Sequence, residues 1–594
     1  MTEAEKMSWD LSQLVEFDDP GYIEERLTAA VKAAEEMKLK YRGKIQSFGA
    51  KETFDMLEAL NEYELQYEGP INYSRLMYTA DMANEVAKRL YDKFRNSYAL
   101  LNQELAFMEI ELGELLSKNP EILNDPILAE YKHSLEKIQR RIPHMLSESE
   151  EQVIIAKDKN GIRAWSMLQG DWLATRTYDI EIDGEMKTLP YGEIVGLYEH
   201  PNRDLRKRAH ETVYRGLGED DIVWSSALRA VFSDHLTMCK FRKWPSPMTQ
   251  SYISNDVDEA TITALMNTIE KNVGTYQNYL KIKAKAMGLD KLGNWDIDAP
   301  LPNSPDKKYT WDEARKLIVG AYTDFDSVIG GWIDEMYEKR HMDALVRNGK
   351  RSGAFCATWH AGKSAYILQS FNGIIGDLFT SAHELGHAMH AYLGTRAQKP
   401  NNYEIGSCIA ETGSIFGELL LADKFLARDI QKEEKQAVLA SILDGFGGAA
   451  FQVSTRVWFE TMLYDAIEKG KFLDGDTISN LWVKARDKMY GDSVEWLPQM
   501  KWWWTMKLHF YMANYRYYNY PYVYAQLFVY AMYKLYKEQG KDFVPKLKTL
   551  LSAGSSRSPR DLAADIGFDV TTEEFWQKGI DQFSEFVNMF EELI

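Results

Sequence analysis

Cysteine, proline and histidine are scarce in this sequence, and the small number of cysteines excludes the largest group of structures. Among 594 residues there are 3 cysteines, 17 prolines and 11 histidines. Cys239, Cys356 and Cys408 lie far apart and are odd in number, which argues against a disulfide framework and against a Cys-x-x-Cys metal site. Because such cysteine usage is typical of a reducing compartment, we expect a cytoplasmic protein.

Long apolar runs and an excess of positive charge are lacking as well. No run of about 18 apolar residues predicts a membrane span, and the acidic start MTEAEKMSWDLSQL does not resemble a signal peptide. The net charge of -19 and the pI near 5.2 argue against binding to a nucleic-acid backbone. We therefore expect neither a membrane nor a nucleic acid as partner, and the sequence leaves the oligomeric state open.

Helical periodicity dominates what is present, so the predicted fold class is mainly α. Residues 22–45 and 83–116 carry apolar side chains at three- and four-residue spacing among charged ones. One β-hairpin is predicted near residues 177–189, where alternating apolar residues meet Asp-Gly, a favoured two-residue turn. The loop EHPNRD near residue 200 is the best boundary, and it separates an N-terminal helical region, 1–200, from a larger region, 201–594.

Two further strand candidates precede a histidine-rich segment. They are SGAFCATW, residues 352–359, and SAYILQSFNG, residues 364–373. An exposed strand edge can pair with an extended peptide, and a small structural sheet is the equally weighted alternative. The histidine-rich segment is predicted to be a helix whose start is capped by Ser381 or Thr380 and which stops at Gly394.

That segment, FTSAHELGHAMHAYLG, carries three of the histidines. His383 and His387 are four residues apart, so they stand one helical turn above each other. Glu384 completes the pattern His-Glu-x-x-His, in which both histidines can bind one zinc ion. His390 is a poor third ligand, because it lies about 10 Å along the helix axis from His383. A second helix should supply the third ligand.

Three downstream glutamates are candidates for that ligand. Glu404 lies in a loop-like stretch, whereas Glu411 and Glu418 are seven residues apart and share a helix face. We predict that Glu411 completes a site for one zinc ion with the two histidines. Glu418 is predicted to accept a hydrogen bond from the other ring nitrogen of a ligand histidine, as carboxylates commonly do.

Several segments resemble one known family. FNGIIGDLFTSAHELGHAMH, AETGSIFGE and the stretch HFYMANYRYYNYPYVYAQLF are similar to the thimet oligopeptidase and oligoendopeptidase F family of zinc metallopeptidases. PHMLSESEEQVI, the hairpin and ADKFLARD resemble its oligoendopeptidase F branch, so the resemblance spans essentially the whole chain. It implies a two-lobed helical ellipsoid with a deep substrate channel, a small β-sheet beside the zinc site, and a zinc peptidase catalytic region within 201–594.

The resemblance also implies roles for individual residues. It gives the same three metal ligands, with Glu384 as the catalytic base. From the family's histidine- and tyrosine-rich loop it adds His509, Tyr518 and Tyr522. These residues would donate hydrogen bonds to the oxyanion that forms when water attacks the carbonyl of the peptide bond. Without the resemblance, so dense a tyrosine run predicts core packing. One departure from the family pattern is AQLF at residues 525–528, where the family often has Gly-Tyr-Leu-Phe.

The predicted function is therefore a zinc-dependent oligoendopeptidase that hydrolyses internal bonds of short unfolded peptides, with Glu384 as general base. A dipeptidyl carboxypeptidase or carboxypeptidase of the same chemistry is the alternative, and it would need a positive group for the C-terminal carboxylate. A catalytically silent peptide-binding scaffold is a more distant alternative. The intact histidines and glutamate argue against the scaffold, because a protein that only binds peptides has no chemical need for these residues.

Overall fold

The computed structural model describes residues 2–302 and 307–594, which form two compact units. The first unit comprises Met1–Ile142, Asp306–Asp429 and Met532–Asp569. The second comprises Pro143–Pro305, Ile430–Ala531 and Val570–Ile594. A single cut near residue 200 divides the chain differently, because each unit is assembled from three stretches that are distant in sequence.

Helices make up most of both units, which confirms the predicted mainly α class. The first are α1 (Glu3–Lys6), α2 (Pro20–Tyr41), α3 (Ala50–Ala80), α4 (Glu85–Leu105), α5 (Phe107–Lys118), α6 (Lys132–Arg141) and α7 (Glu148–Asn160). Next are α8 (Ala164–Thr175), α9 (Tyr191–Gly196), α10 (Arg203–Gly218), α11 (Asp221–Phe241), α12 (Thr249–Asn255), α13 (Glu259–Lys271) and α14 (Val273–Ala286). Then follow α15 (Trp311–Phe325), α16 (Ser327–Glu338), α17 (Ile375–Ala397), α18 (Ser407–Ala410), α19 (Thr412–Leu426) and α20 (Lys432–Phe446). The last are α21 (Val453–Glu468), α22 (Gly475–Tyr490), α23 (Tyr520–Gln539), α24 (Val544–Ser552), α25 (Pro559–Asp565) and α26 (Glu573–Glu592).

The strands form three small sheets. They are β1 (Thr177–Ile182), β2 (Glu185–Pro190), β3 (Leu292–Gly293), β4 (Met342–Asp343), β5 (Phe355–Trp359), β6 (Ser364–Leu368) and β7 (Val494–Glu495). β1 and β2 form the antiparallel hairpin expected near residues 177–189. Its turn residues Asp183 and Gly184 have φ angles of 54° and 82°, as a two-residue hairpin turn requires. β3 pairs with β7 in parallel.

The third sheet, in the first unit, has the order β4-β6-β5 and adjoins α17. All five residues of β6 are buried, whereas β5 at the edge is mostly half-buried. Just after β6, the Gln369 side-chain amide donates a hydrogen bond of 2.6 Å to the Ser381 hydroxyl of α17. This sheet therefore fixes the position of the helix that carries the histidine motif.

A hydrophobic core supports the sheet from the side of α2, α3 and α4. Its fully buried members include Ile23, Leu27, Leu76, Leu90, Tyr366 and Leu368. Each such side chain contributes about 1.5–3 kcal/mol through removal from water. The β6 strand is therefore held between this core and α17.

The start of α17 differs from the sequence prediction. The helix begins at Ile375, and the Asp377 carboxylate accepts hydrogen bonds from the backbone N–H groups of Asn372 and Ile374. The hydroxyls of Thr380 and Ser381 donate to backbone carbonyls one turn back inside the helix. The prediction that one of them caps the helix was wrong, because an acidic residue earlier in the chain satisfies the free N–H groups.

Gly394 does not end α17 either, since the helix continues to Ala397. A Cβ atom at Gly394 would lie 2.5 Å from Cε2 of Tyr403. The glycine therefore allows a close ring contact within the helix, which a sequence pattern does not distinguish from a helix stop.

One continuous helical stretch of the described chain, Lys432–Glu468, is long and apolar enough to cross a membrane by length and composition alone. It lies in the second unit, and 61% of its most apolar 18-residue part is buried inside the protein. A buried core helix meets the same criterion, so this stretch is weak evidence for a membrane span.

Candidate active site

Three predicted metal ligands come together in the first unit. His383 and His387 project from α17, and Glu411 lies at the junction between α18 and α19. Oε2 of Glu411 is 3.3 Å from Nε2 of His383 and 3.2 Å from Nε2 of His387. Over residues 2–302 and 307–594, these three side chains form the only group of histidine, cysteine or acidic residues with the spacing to hold a metal ion.

Two glycines allow this approach. A Cβ atom at Gly386 would lie 2.2 Å from the carbonyl oxygen of Gly413, and one at Gly413 would lie 2.3 Å from that of Gly386. α17 and the start of α19 therefore cross with backbone against backbone. Glu411 precedes Gly413 by two residues, so the crossing brings its carboxylate to the histidines. The sequence showed both glycines but not that they meet.

Two further side chains orient the ligands. The Ser414 hydroxyl donates a hydrogen bond of 2.7 Å to Oε2 of Glu411. Oε1 of Glu418 lies 2.5 Å from Nδ1 of His383, where it accepts the ring N–H. That bond leaves Nε2 of His383 unprotonated in the neutral ring, which is the form that binds a metal. The Glu418 contact is the predicted one, whereas sequence reasoning missed Ser414.

The charges around these ligands favour a cation. Burial lowers the pKa of His383, but the carboxylates of Glu411 and Glu418 outweigh it and raise that pKa to about 10. Burial raises the pKa of Glu411, and the facing rings of His383 and His387 reverse this and hold it well below its ordinary value. In the protein without a metal, the site thus retains protons, which a metal ion can replace.

Glu384 lies between the two histidines and is only 6% exposed. Its Oε2 has no hydrogen-bond partner in the part of the chain that the structure describes. Burial raises its pKa, and His383 and His387 act in the opposite direction. An unpaired buried carboxylate oxygen is costly, so it indicates a ligand or a catalytic role rather than a structural one.

His390, the third histidine of α17, is separate from the metal ligands. It is 2% exposed, and burial followed by the charge of His387 lowers its pKa to about 3. Its Cβ packs 3.3 Å from where a Cβ of Gly413 would lie. His390 therefore packs at the helix crossing, in agreement with its exclusion as a ligand.

The remaining predicted residues lie in the second unit and are neighbours there. The hydroxyls of Tyr518 and Tyr522 are 2.6 Å apart, and both side chains are well exposed. The rings of His509 and Tyr518 are 5.7 Å apart between centroids. This cluster presents one imidazole and two phenol groups, all of which can donate hydrogen bonds.

Two residues that sequence reasoning missed hold His509. Nη1 of Arg456 donates to Oδ1 of Asn519 at 3.1 Å, and Nδ2 of Asn519 lies 2.9 Å from Nε2 of His509. Burial lowers the pKa of His509 to about 2, helped by the nearby cations Arg456 and Arg516. No spacing in the sequence indicates this contact, because Arg456 belongs to α21 and comes from a distant part of the chain.

A helical protein with two histidines and a glutamate converging beside an unpaired buried glutamate belongs to the class of metal-dependent hydrolases. Comparison with known proteins makes this specific. The model of Peptidase family M3 matches residues 197–582, and the Oligopeptidase F model matches residues 99–176. The chain belongs to peptidase family M3 and is a metallopeptidase, which confirms the family resemblance found in the sequence.

Individual relatives are similar to this protein in sequence or structure along nearly the whole chain. Oligopeptidase PepF of Bacillus subtilis (strain 168) is 26% identical over 93% of this chain and 83% of its own length. The crystal structure of a putative peptidase from Chlamydophila abortus superposes with a TM-score of 0.89 at 21% identity, covering 100% of this chain and 99% of the other. That of oligoendopeptidase-F from Enterococcus faecium gives 0.69 at 21% identity, with 97% and 99% covered. These structures show the same fold.

Proposed function

We propose that the protein is a zinc-dependent oligoendopeptidase that hydrolyses internal bonds of short unfolded peptides in the cytoplasm. The observation that carries the proposal is the position of one Glu411 oxygen against Nε2 of both His383 and His387. The unpaired oxygen of Glu384 beside them supplies the basic group that peptide hydrolysis needs.

The donor set suits zinc. Zinc takes imidazole nitrogen and carboxylate oxygen at about 2.0–2.2 Å in tetrahedral geometry, which places neighbouring ligand atoms roughly 3.3 Å apart. The distances from the Glu411 oxygen to the two histidine nitrogens, 3.3 Å and 3.2 Å, match that separation between neighbouring ligand atoms. Three protein ligands leave one position open, as in catalytic rather than structural zinc sites. A bound zinc ion would supply Lewis acidity, which lowers the pKa of water and polarises a carbonyl.

Glu384 performs the proton transfers. Its carboxylate removes a proton from the attacking water as the water oxygen bonds to the carbonyl carbon. When the carbon–nitrogen bond breaks, the same side chain returns that proton to the leaving amine. Burial raises the pKa of Glu384, and a carboxylate with a raised pKa is a stronger base, which suits it to take the proton of the water.

His509, Tyr518 and Tyr522 are proposed to donate hydrogen bonds to the oxyanion that forms on the carbonyl oxygen. Such donors contribute several kcal/mol when they are aligned in advance. The contact between Tyr518 and Tyr522 and the neutral state of His509 support this role, because neutral donors held by neighbours need little reorganisation.

The edge strand β5 supports a peptide as substrate. In the sheet order β4-β6-β5 this strand has a neighbour on one side, and most of its residues are half-buried. At its outer edge the Thr358 carbonyl accepts a hydrogen bond from the Asn72 side chain, and the rest of that edge can pair with an extended peptide. Such main-chain recognition tolerates varied side chains. The relatives named oligopeptidase and oligoendopeptidase agree with this substrate class. Cys239, Cys356 and Cys408 form no disulfide, which suits the cytoplasm.

The test compares the protein with Glu384→Gln, both loaded with zinc, on an internally quenched peptide of about nine residues. Loss of the general base should lower kcat by about 10²–10⁴-fold while zinc content stays unchanged. Glu433→Gln, at an exposed position in α20, is the matched control and should retain full activity.

Product analysis separates the alternatives. Cleavage at an internal bond of both free and amidated peptides supports the endopeptidase, whereas a requirement for a free C-terminus indicates a carboxypeptidase. Equal turnover by Glu384→Gln would refute the glutamate as base. Tight peptide binding without cleavage by the zinc-loaded protein would favour the scaffold.

A further inference from the structure

In the second unit, hydrogen bonds link Arg456 to Asn519 and Asn519 to His509. The donor and the acceptor of each bond follow from the chemistry of these side chains. An arginine side chain can only donate hydrogen bonds, so the atom of Asn519 that faces Nη1 of Arg456 must be the carbonyl oxygen. The amide nitrogen of Asn519 then faces His509, and an amide nitrogen can only donate. Nε2 of His509, 2.9 Å away, must therefore accept and carries no proton.

A neutral imidazole carries its one proton on the other ring nitrogen. We propose that Arg456 and Asn519 are positioning residues that hold His509 as the neutral tautomer with its proton on Nδ1. Asn519 is suited to this because it is 1% exposed, so water does not compete for its amide. In the described parts of the chain, Nδ1 of His509 has no hydrogen-bond partner, so this N–H is available to an acceptor.

The charges around the ring act in the same direction. Arg456 of α21 and Arg516 of the segment before α23 are cations near the ring, and the Tyr518 ring lies 5.7 Å from it between centroids at an interplanar angle of 38°. Burial and these two cations oppose a second proton, so His509 stays neutral over the pH range in which peptidases act. The donor therefore does not disappear or change as the pH changes.

The consequence for catalysis rests on the proposed function. If His509 donates to the oxyanion, the donating atom is Nδ1, and the wrong tautomer would present a lone pair to a negative charge. Asn519 and Arg456 thus influence the reaction through His509 without contacting the substrate.

Asn519→Asp tests the inference with almost no change of shape. A carboxylate can only accept, so its oxygen next to His509 requires a proton on Nε2. The neutral ring then loses the proton on Nδ1. The new negative charge also raises the pKa of His509, so at lower pH the ring gains a second proton and Nδ1 becomes a donor again.

The first readout does not depend on activity. In protein labelled with ¹⁵N-histidine, the two-bond ¹H–¹⁵N correlation pattern distinguishes the tautomers, and His509 is assigned by its loss in His509→Gln. We expect the Nδ1–H pattern in the wild type and the Nε2–H pattern in Asn519→Asp. An Nε2–H pattern in the wild type, or an unchanged pattern in the variant, would overturn the inference.

The second readout is the pH profile of peptide hydrolysis. Asn519→Asp should lower kcat about 10²-fold at pH 8 with little change in KM, and recover part of it as the pH falls. Asn267→Asp, which adds the same charge at an exposed position of α13, should match the wild type. If the tautomer changes and kcat does not, His509 is not the donor and that part of the proposed function fails, while the tautomer assignment stands.

Discussion

Two histidines of this protein lie in opposite electrostatic surroundings. His383 in the first unit faces the carboxylates of Glu411 and Glu418, which raise its pKa to about 10 against the effect of burial. His509 in the second unit is held by an amide, and burial with nearby cations lowers its pKa to about 2. The same side chain is thus prepared for two different tasks.

The difference shows which charge on the imidazole ring each environment favours. Carboxylates on both sides of an imidazole attract a positive charge, which can be a proton or a metal ion. Cations exclude positive charge and keep the ring neutral, so it remains a hydrogen-bond donor with one defined proton. Substitutions that remove or displace the carboxylates around His383 should therefore weaken metal binding.

The largest effect is expected for Glu411→Gln. The change removes the carboxylate that faces both ligand histidines, so zinc affinity should fall by more than about 100-fold, beyond the cost of losing an outer partner. Zinc titration against a competing chelator measures this. Glu404→Gln is the matched control, because Glu404 is exposed near Lys137 and the sequence offered it as an alternative ligand. Loss of zinc in the control instead of the variant would contradict the assignment.

A smaller loss is expected for Gly413→Ala. The new Cβ would meet the backbone of Gly386 at 2.3 Å, so the helices must separate and carry Glu411 away from the histidines. Zinc affinity should fall, and the free energy of unfolding of the metal-free protein should drop by about 1–3 kcal/mol.

Gly331→Ala in α16 is the control for this change, because nothing lies within 4 Å of its added Cβ. It should stabilise the protein by about 0.5–1 kcal/mol and leave zinc affinity unchanged. Unchanged zinc affinity in Gly413→Ala would show that the close helix crossing does not position the ligand.

The smallest effect is expected at Glu418. Glu418→Ala removes both the charge and the acceptor from Nδ1 of His383, so zinc affinity should fall by about 10–100-fold. Glu418→Gln keeps an acceptor at the same place and should lose less. Isothermal titration with zinc measures both variants. Equal losses would mean that the charge alone matters. No loss in either variant would show that the anionic surroundings of His383 do not prepare it for a metal, in contrast to what is expected from its difference from His509.

Local pattern predicted much of the first unit's site. The four-residue spacing of His383 and His387 needs only helical geometry, which the surrounding residues favour, and Glu384 follows from the same motif. The choice of Glu411 over Glu404 came from helix periodicity, and the structure places it against both rings. The ends of α17 were predicted wrongly, because capping depends on Asp377 and on a tertiary contact with Tyr403.

The second unit shows the limit of such reasoning. His509, Tyr518 and Tyr522 were selected by family resemblance alone, since a tyrosine-rich run by itself favours core packing. Nothing in the sequence connects Arg456 with Asn519, because 63 residues separate them and only the fold brings them within 3.1 Å.

The sequence by itself determined the mainly α class, the hairpin turn and the histidine motif. Each of these depends on neighbours within a turn or two, where spacing and residue type decide the structure. Only the tertiary structure decided that Gly386 meets Gly413 and that an arginine and an asparagine select the proton position on His509. Those contacts join distant segments, and their strength comes from burial, which no local pattern contains.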